Sequence, residues 1–259
     1  MNKSKLAFIL LSNIVIVLGV LLHLYLPSPK PINSEDFSSK RVESYIETIS
    51  REPHSIHHPK EREVVRKYLA NKLESFGYKV ERYKYDSIID RFGNYINIEN
   101  LYTKKEPLNP NDSTSYILLI AHLDSRFKHP VRDSFVLSYG AADDGYGLGI
   151  ILEIADLVSR DSDNWNNGIK ILFTDSEESD LEGISNAYIN NKEIFKNVAL
   201  AINIEARGVK GPAILFETSD NNQALIKYYQ KNARKRFGFS MTSTVYNILP
   251  NFTDFTVIK

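Results

Sequence analysis

The chain has 259 residues, with 32 Lys+Arg against 32 Asp+Glu for a formal net charge of zero, and it has no cysteine. The missing thiols exclude a disulfide framework, a thiolate zinc site and a cysteine nucleophile. Balanced, scattered basic residues leave no electrostatic footprint for nucleic acid, and the length suits one α/β domain with a full core.

Residues 6–26 are almost wholly apolar and contain no acid, lysine or arginine. A helix of about 20 residues spans about 30 Å, the thickness of the hydrocarbon layer. Lys3 and Lys5 precede the run, which by the positive-inside rule keeps the N-terminus cytoplasmic. A cleaved signal peptide is the competing reading. However, the exit His23-Leu24-Tyr25-Leu26-Pro27 lacks a small-x-small cleavage site, and the run is long for a signal core. The expectation is an uncleaved single-pass membrane anchor over 1–27 and a stiff spacer over 28–37 with Pro29 and Pro31. The remaining domain, 38–259, would lie on the non-cytoplasmic side.

Ser34-Glu35-Asp36 supplies a cap and an acidic first turn for a helix through Tyr45 and Ile49. The spacing of Val64, Val65, Tyr68, Leu69, Leu73 and Phe76 predicts a helix over 59–76 that stops at Gly77. Residues 78–85 and 94–102 alternate as strands, and the turn chemistry of Arg91-Phe92-Gly93-Asn94 lets them pair as a hairpin. Residues 116–121 are apolar throughout, as in a strand covered on both faces. A helix is expected over 146–158, a buried strand over 169–173 and a helix over 183–189. Further buried strands are expected over 198–204 and 213–216, an amphipathic helix with a basic end over 221–236, and a strand over 242–248. Short apolar strands alternating with helices indicate an α/β fold: a mostly parallel central sheet with helices on both faces. Ligands of such sheets bind beyond the carboxyl ends of the strands.

Those ends carry one imidazole and several carboxylates. His122 and Asp124 lie in AHLDS, Asp143 and Asp144 in GAADDG, Glu177 and Glu178 in TDSEES, and Glu205 in NIEARG. This is a ligand type that zinc accepts, and one that is costly to bury without a cation. Each piece has a plainer explanation. His-x-Asp suits a hydrogen-bonded loop histidine, and Asp143-Asp144 an N-cap with an acidic first turn. Glu177-Glu178 also reads as an N-terminal charge pattern, and Glu205 as a partner for Arg207. Together the plain explanations require four coincidences at one sheet edge. His54, His57 and His58 fall in an N-terminal loop and His23 in the anchor, so they read as structural or solvated, and His129 as surface.

The succession AHLDS, GAADDGYGLG, ILFTDSEE and AINIEARG resembles the M28 family of zinc metallopeptidases, over about residues 51–258. NIEARG, GPAILFET and LPNFTDF are similar to its membrane-bound branch of vacuolar and endoplasmic reticulum metallopeptidases. The resemblance implies the zinc-peptidase fold and two Zn2+ ions. It implies His122 as ligand of one zinc, Asp143 as bridge, Glu178 as ligand of the second and Glu205 in a further ligand position. Asp124 would orient His122, and Glu177 would be the general base for a metal-bridging water. The implied reaction is hydrolysis of a peptide or protein substrate, as an aminopeptidase. The family has a further histidine ligand downstream, whereas no histidine follows His129 here, so the expectation is a C-terminally incomplete domain. The alternatives are a catalytically inactive peptidase-like binding ectodomain and a single-zinc glutaminyl cyclase.

Overall fold

A computed structural model describes residues 3–23, 29–90, 93–128, 134–161, 165–205, 213–234, 236–238 and 252–259. By its internal contacts the chain divides into two units: Lys30–Val209 with Val245–Lys259, and Met1–Pro29 with Lys210–Thr244.

In the second of these units, helix α1 (Lys3–His23) has 21 residues and is therefore about 31 Å long. Its apolar side chains are exposed, Phe8 and Leu11 among them, and it is long and apolar enough to cross a membrane.

The other unit contains a five-stranded sheet in the order β1-β2-β4-β3-β5, formed by β1 (Lys79–Ile89), β2 (Tyr95–Lys105), β3 (Tyr116–His122), β4 (Gly168–Thr174) and β5 (Val198–Asn203). Strands β3, β4 and β5 are parallel, and the β1–β2 hairpin joins β4 antiparallel. β3 and β4 are apolar on successive residues because both sheet faces are covered. Leu119, Ala121, Ile171 and Phe173 face a core built with α2 (Ser39–Ile49), α3 (Pro59–Ser75) and α4 (Gly145–Arg160). Leu118, Ile120 and Leu172, one position out of phase, face Ile184 and Ala187 of α6 (Glu182–Asn190). Lys170 points to this second face as well. Its ammonium donates to the carbonyls of Glu193, Ile194 and Lys196 at 2.8, 2.9 and 2.7 Å, which makes a buried lysine tolerable.

Several expectations shift by a turn. The first helix after α1 is capped by Ser38, whose side chain accepts the Arg41 N–H, and does not start at Ser34. The residues before it are tied down by Arg41, which donates to the carbonyls of Ile32, Ser34 and Asp36 and also pairs with buried Glu153 of α4. Helix α3 ends where expected, with Gly77 at φ +83, but its inner face differs. Val64 is 67% exposed while Arg62 and Arg66 are buried, so the apolar stripe is half a charged one.

In the smaller unit, residues 213–219 are not a strand; Leu215 N–H donates to the Phe237 carbonyl, and among the described residues no strand pairs with this stretch. Four apolar residues in a row were not enough without a neighbouring ladder. The helix expected over 221–236 is the shorter α7 (Gln223–Asn232), none of whose residues is buried. The strand expected over 242–248 lies outside the described residues.

Candidate metal centre

Beyond β3, β4 and β5, the chain brings its carboxylates to one place. His122 and Thr174 are register partners at the ends of β3 and β4, so whatever follows each strand emerges side by side. After Thr174 come Asp175, Ser176 in left-handed conformation (φ 64), and the one-turn α5 (Glu177–Asp180). Glu205 follows β5, and Asp143 precedes α4.

Two groups of three result. His122, Glu177 and Glu178 offer ligand atoms all within 4.8 Å of one another, as do His122, Asp143 and Glu205. His122 is common to both. Its Nδ1 lies 2.9 Å from the Asp124 carbonyl oxygen, an acceptor only, so Nδ1 carries the proton. That leaves the Nε2 lone pair for the site, where Asp143 Oδ1 stands 3.1 Å away.

The adjacent aspartates divide. Asp144 Oδ1 accepts the Gly147 N–H at 2.9 Å and caps α4, while Asp143 turns to His122. Asp124 also works differently from a simple imidazole holder. Its carboxylate is 3.6 Å from His122 Nδ1 but accepts the N–H groups of Glu177 and Glu178 at 3.0 and 3.2 Å. The main-chain carbonyl and the carboxylate of Asp124 thus both face the imidazole, and the carboxylate also sets the glutamates.

Sequence reasoning missed three supports. Asp175, fully buried, takes Arg62 at 3.1 Å and Arg66 at 2.7 Å, one on each oxygen. It also accepts the Glu99 N–H at 2.9 Å. This links α3 and β2 to the turn that carries Glu177. Arg62 and Arg66, four apart on one helix, were the available signal. The second support is Asp254, on the short helix α8 (Asp254–Ile258), which accepts the Thr174 hydroxyl behind His122. The third is Arg126, whose Nε and Nη2 reach the two oxygens of Glu178 at 3.0 and 2.7 Å. His54, read as structural or solvated, is buried: its N–H donates to Ser125 Oγ at 2.9 Å, and its ring lies against Gly140. His129 and Arg207 lie outside the described residues.

The electrostatics are those of crowded, dry acids. Burial works against charging His122, but Glu177, Asp124, Asp143 and Glu205 outweigh it and hold the imidazole well above its ordinary range. Burial, and after it the charges of Glu205, Asp254 and Glu178, push Glu177 well up against the pull of His122. Glu178 is pushed up to about 7, again by burial first and then by Asp143, against His122 and Arg126. Four carboxylates around one imidazole, with one guanidinium beside them, suit a divalent cation that accepts N and O donors. Zinc therefore fits the residues present.

A mixed sheet with helices on both faces and a cluster of zinc-type donors at the strand ends defines an α/β protein with a candidate metal centre. Residues 100–259 match the pattern of peptidase family M28, and the chain belongs to that family. It is 28% identical to mouse endoplasmic reticulum metallopeptidase 1 over 196 residues, covering 73% of this chain and 20% of that protein. It is 29% identical to the vacuolar membrane protease of Schizosaccharomyces pombe over 214 residues, covering 79% of this chain and 24% of the relative. The chain thus spans a fifth to a quarter of the length of these curated relatives. Among solved structures, a Zn-dependent exopeptidase from Parabacteroides distasonis superposes with TM-score 0.66 at 20% identity, covering 86% of this chain and 80% of its own. Bacteroides thetaiotaomicron glutaminyl cyclase superposes with TM-score 0.64 at 22% identity, covering 82% and 80%. At these identities the structures establish the fold.

Proposed function

We propose that this chain is the catalytic part of a membrane-anchored zinc peptidase that removes N-terminal residues from peptides or proteins. The observation that carries the reading is the sharing of His122 by two donor groups, one with Asp143 and Glu205 and one with Glu177 and Glu178. In this reading His122 and Glu205 would hold one zinc and Glu178 a second, and Asp143 would serve both. Zinc in such a site polarises the scissile carbonyl and makes water a nucleophile near neutral pH. Glu177, buried with a raised pKa and held by Asp124 through its N–H, takes the proton of the attacking water and returns it to the leaving amine. Helix α1 anchors the chain by residues 1–27, 28–37 form the spacer, and Lys3 and Lys5 keep the N-terminus cytoplasmic, with the 38–259 domain on the other side. Two relatives are named vacuolar membrane protease, which supports the membrane association in this reading.

The test is zinc content together with hydrolysis of aminoacyl substrates. Two zincs per chain and an inactive Glu177→Gln protein that still binds zinc support the reading. A protein that binds no zinc at micromolar metal rules it out.

A single-zinc glutaminyl cyclase is the second reading. It is favoured by Arg126, whose fork already occupies both oxygens of Glu178. A peptide with N-terminal glutamine separates the two: the peptidase releases free glutamine, and the cyclase releases ammonia and leaves the peptide bond intact.

A further inference from the structure

We infer that Arg126 is a built-in cation for the Glu178 half of the centre, and that metal must displace it there, so the two metal positions load unequally. This rests on the zinc reading above. The fork is side-on, with Nε 3.0 Å from Oε1 and Nη2 2.7 Å from Oε2, so both carboxylate oxygens are engaged at once. Planar bidentate pairing is the strongest form of this contact, and a guanidinium cannot yield by losing its proton. The Glu178 side chain is 4% exposed, so the pair is poorly screened on the carboxylate side. Arg126 reaches the other donor group more loosely, by an ion pair of 3.8 Å from Nη2 to Asp143 Oδ2.

The segment that carries Arg126 is itself held in place. Arg126 follows Ser125, which is fully buried and whose hydroxyl accepts the His54 N–H. Asp124, one residue earlier, holds the N–H of Glu178 itself at 3.2 Å. One short segment therefore grips Glu178 by its main chain and by its carboxylate. A metal that uses Glu178 has to open the fork, whereas a metal held by His122, Asp143 and Glu205 does not.

Zinc titration of the full chain by calorimetry, with bound zinc counted after dialysis against buffered free zinc, tests this. The wild type is expected to show one tight site and a second that is weaker by about tenfold or more, the scale of a charged bidentate hydrogen bond. Arg126→Met, which keeps the length and removes the charge, is expected to tighten the second site by about tenfold while the first stays within about threefold. Arg126→Lys, which keeps the cation but not the fork, falls between them and serves if the methionine variant folds poorly. Two equal sites in the wild type, or stepwise constants unchanged in both variants, overturn the inference and leave the zinc reading standing. No zinc bound by any of the three proteins overturns both.

Discussion

The carboxylate of Asp124 accepts the main-chain N–H of Glu177 at 3.0 Å, so the loop after β3 fixes the first residue of the turn after β4. The same carboxylate takes the N–H of Glu178 with its other oxygen, at 3.2 Å. Both bonds sit at the N-terminus of α5, where an acid is favoured by the exposed donors. Asp124→Asn keeps the size but sets an NH2 group against one N–H. Because outer partners of this kind are worth about 10–100-fold, zinc affinity or turnover is expected to fall by that factor, with His122 still bound to the Asp124 carbonyl. Metal titration and kcat of the variant measure it; unchanged values would reduce Asp124 to a loop residue.

Asp175 ties the glutamate turn to the opposite side. Its partners Arg62 and Arg66 have side chains only 7% and 6% exposed, and the carboxylate itself is fully buried. Removing one member of a buried charge cluster leaves an uncompensated charge, at a cost of about 3–5 kcal/mol. Arg66→Met is therefore expected to lower unfolding free energy by roughly that amount in urea titration. The double variant Arg66→Met with Asp175→Asn is expected to recover little of the loss, because Arg62 then loses its own buried carboxylate partner.

Much of the candidate centre was legible because His122, Glu177 and Glu205 each follow a short apolar run, and such runs become parallel strands. They are buried in β3 and β4 but only half-buried to exposed in β5, where burial was expected. The supports were not legible for the converse reason. Periodicity assigns charged residues to the outside, yet Arg62 and Arg66 are buried and Val64 is 67% exposed, because Asp175 sits where α3 crosses the strand end. Arg126 and Glu178 are 52 positions apart, and their fork depends on how two loops meet in space. The strand expected over 213–216 rested on four apolar residues alone, and without a neighbouring ladder those residues take an irregular path.

The crowded acids predict how stability follows pH in metal-free protein. Glu178 is pushed up to about 7 and Asp254 to about 6, so in the folded state both hold protons that the unfolded chain has already released. The native state then binds more protons than the unfolded one, and stability falls as pH rises from the ordinary carboxylate range through about 7. His122, also held high, works in the same direction above its usual range. The combined loss is on the order of a few kcal/mol between about pH 5 and pH 8. Calorimetry should show the midpoint falling with pH without metal, and saturating zinc should remove most of the slope. A metal-free midpoint that rises over this interval contradicts the arrangement of charges described above.

Gly183 reports on how tightly the glutamate turn is packed from below. Asn100, fully buried, donates to the Gly183 carbonyl at 2.8 Å and accepts the Asp175 N–H at 2.9 Å, so one side chain bridges α6 to the residue before the turn. That bridge needs the two backbones close together. A Cβ on Gly183 would come within 2.1 Å of the Asp175 carbonyl oxygen and 2.8 Å of Asn100 Oδ1. The first obstacle is main chain and cannot rotate aside. Gly183→Ala is therefore expected to destabilise the protein by about 3 kcal/mol or more, although alanine is the better helix former by about 1 kcal/mol. Because the shift falls on Asp175, zinc affinity should weaken along with stability. A stable Gly183→Ala protein with normal zinc binding would mean that α6 can move away without disturbing Glu177 and Glu178.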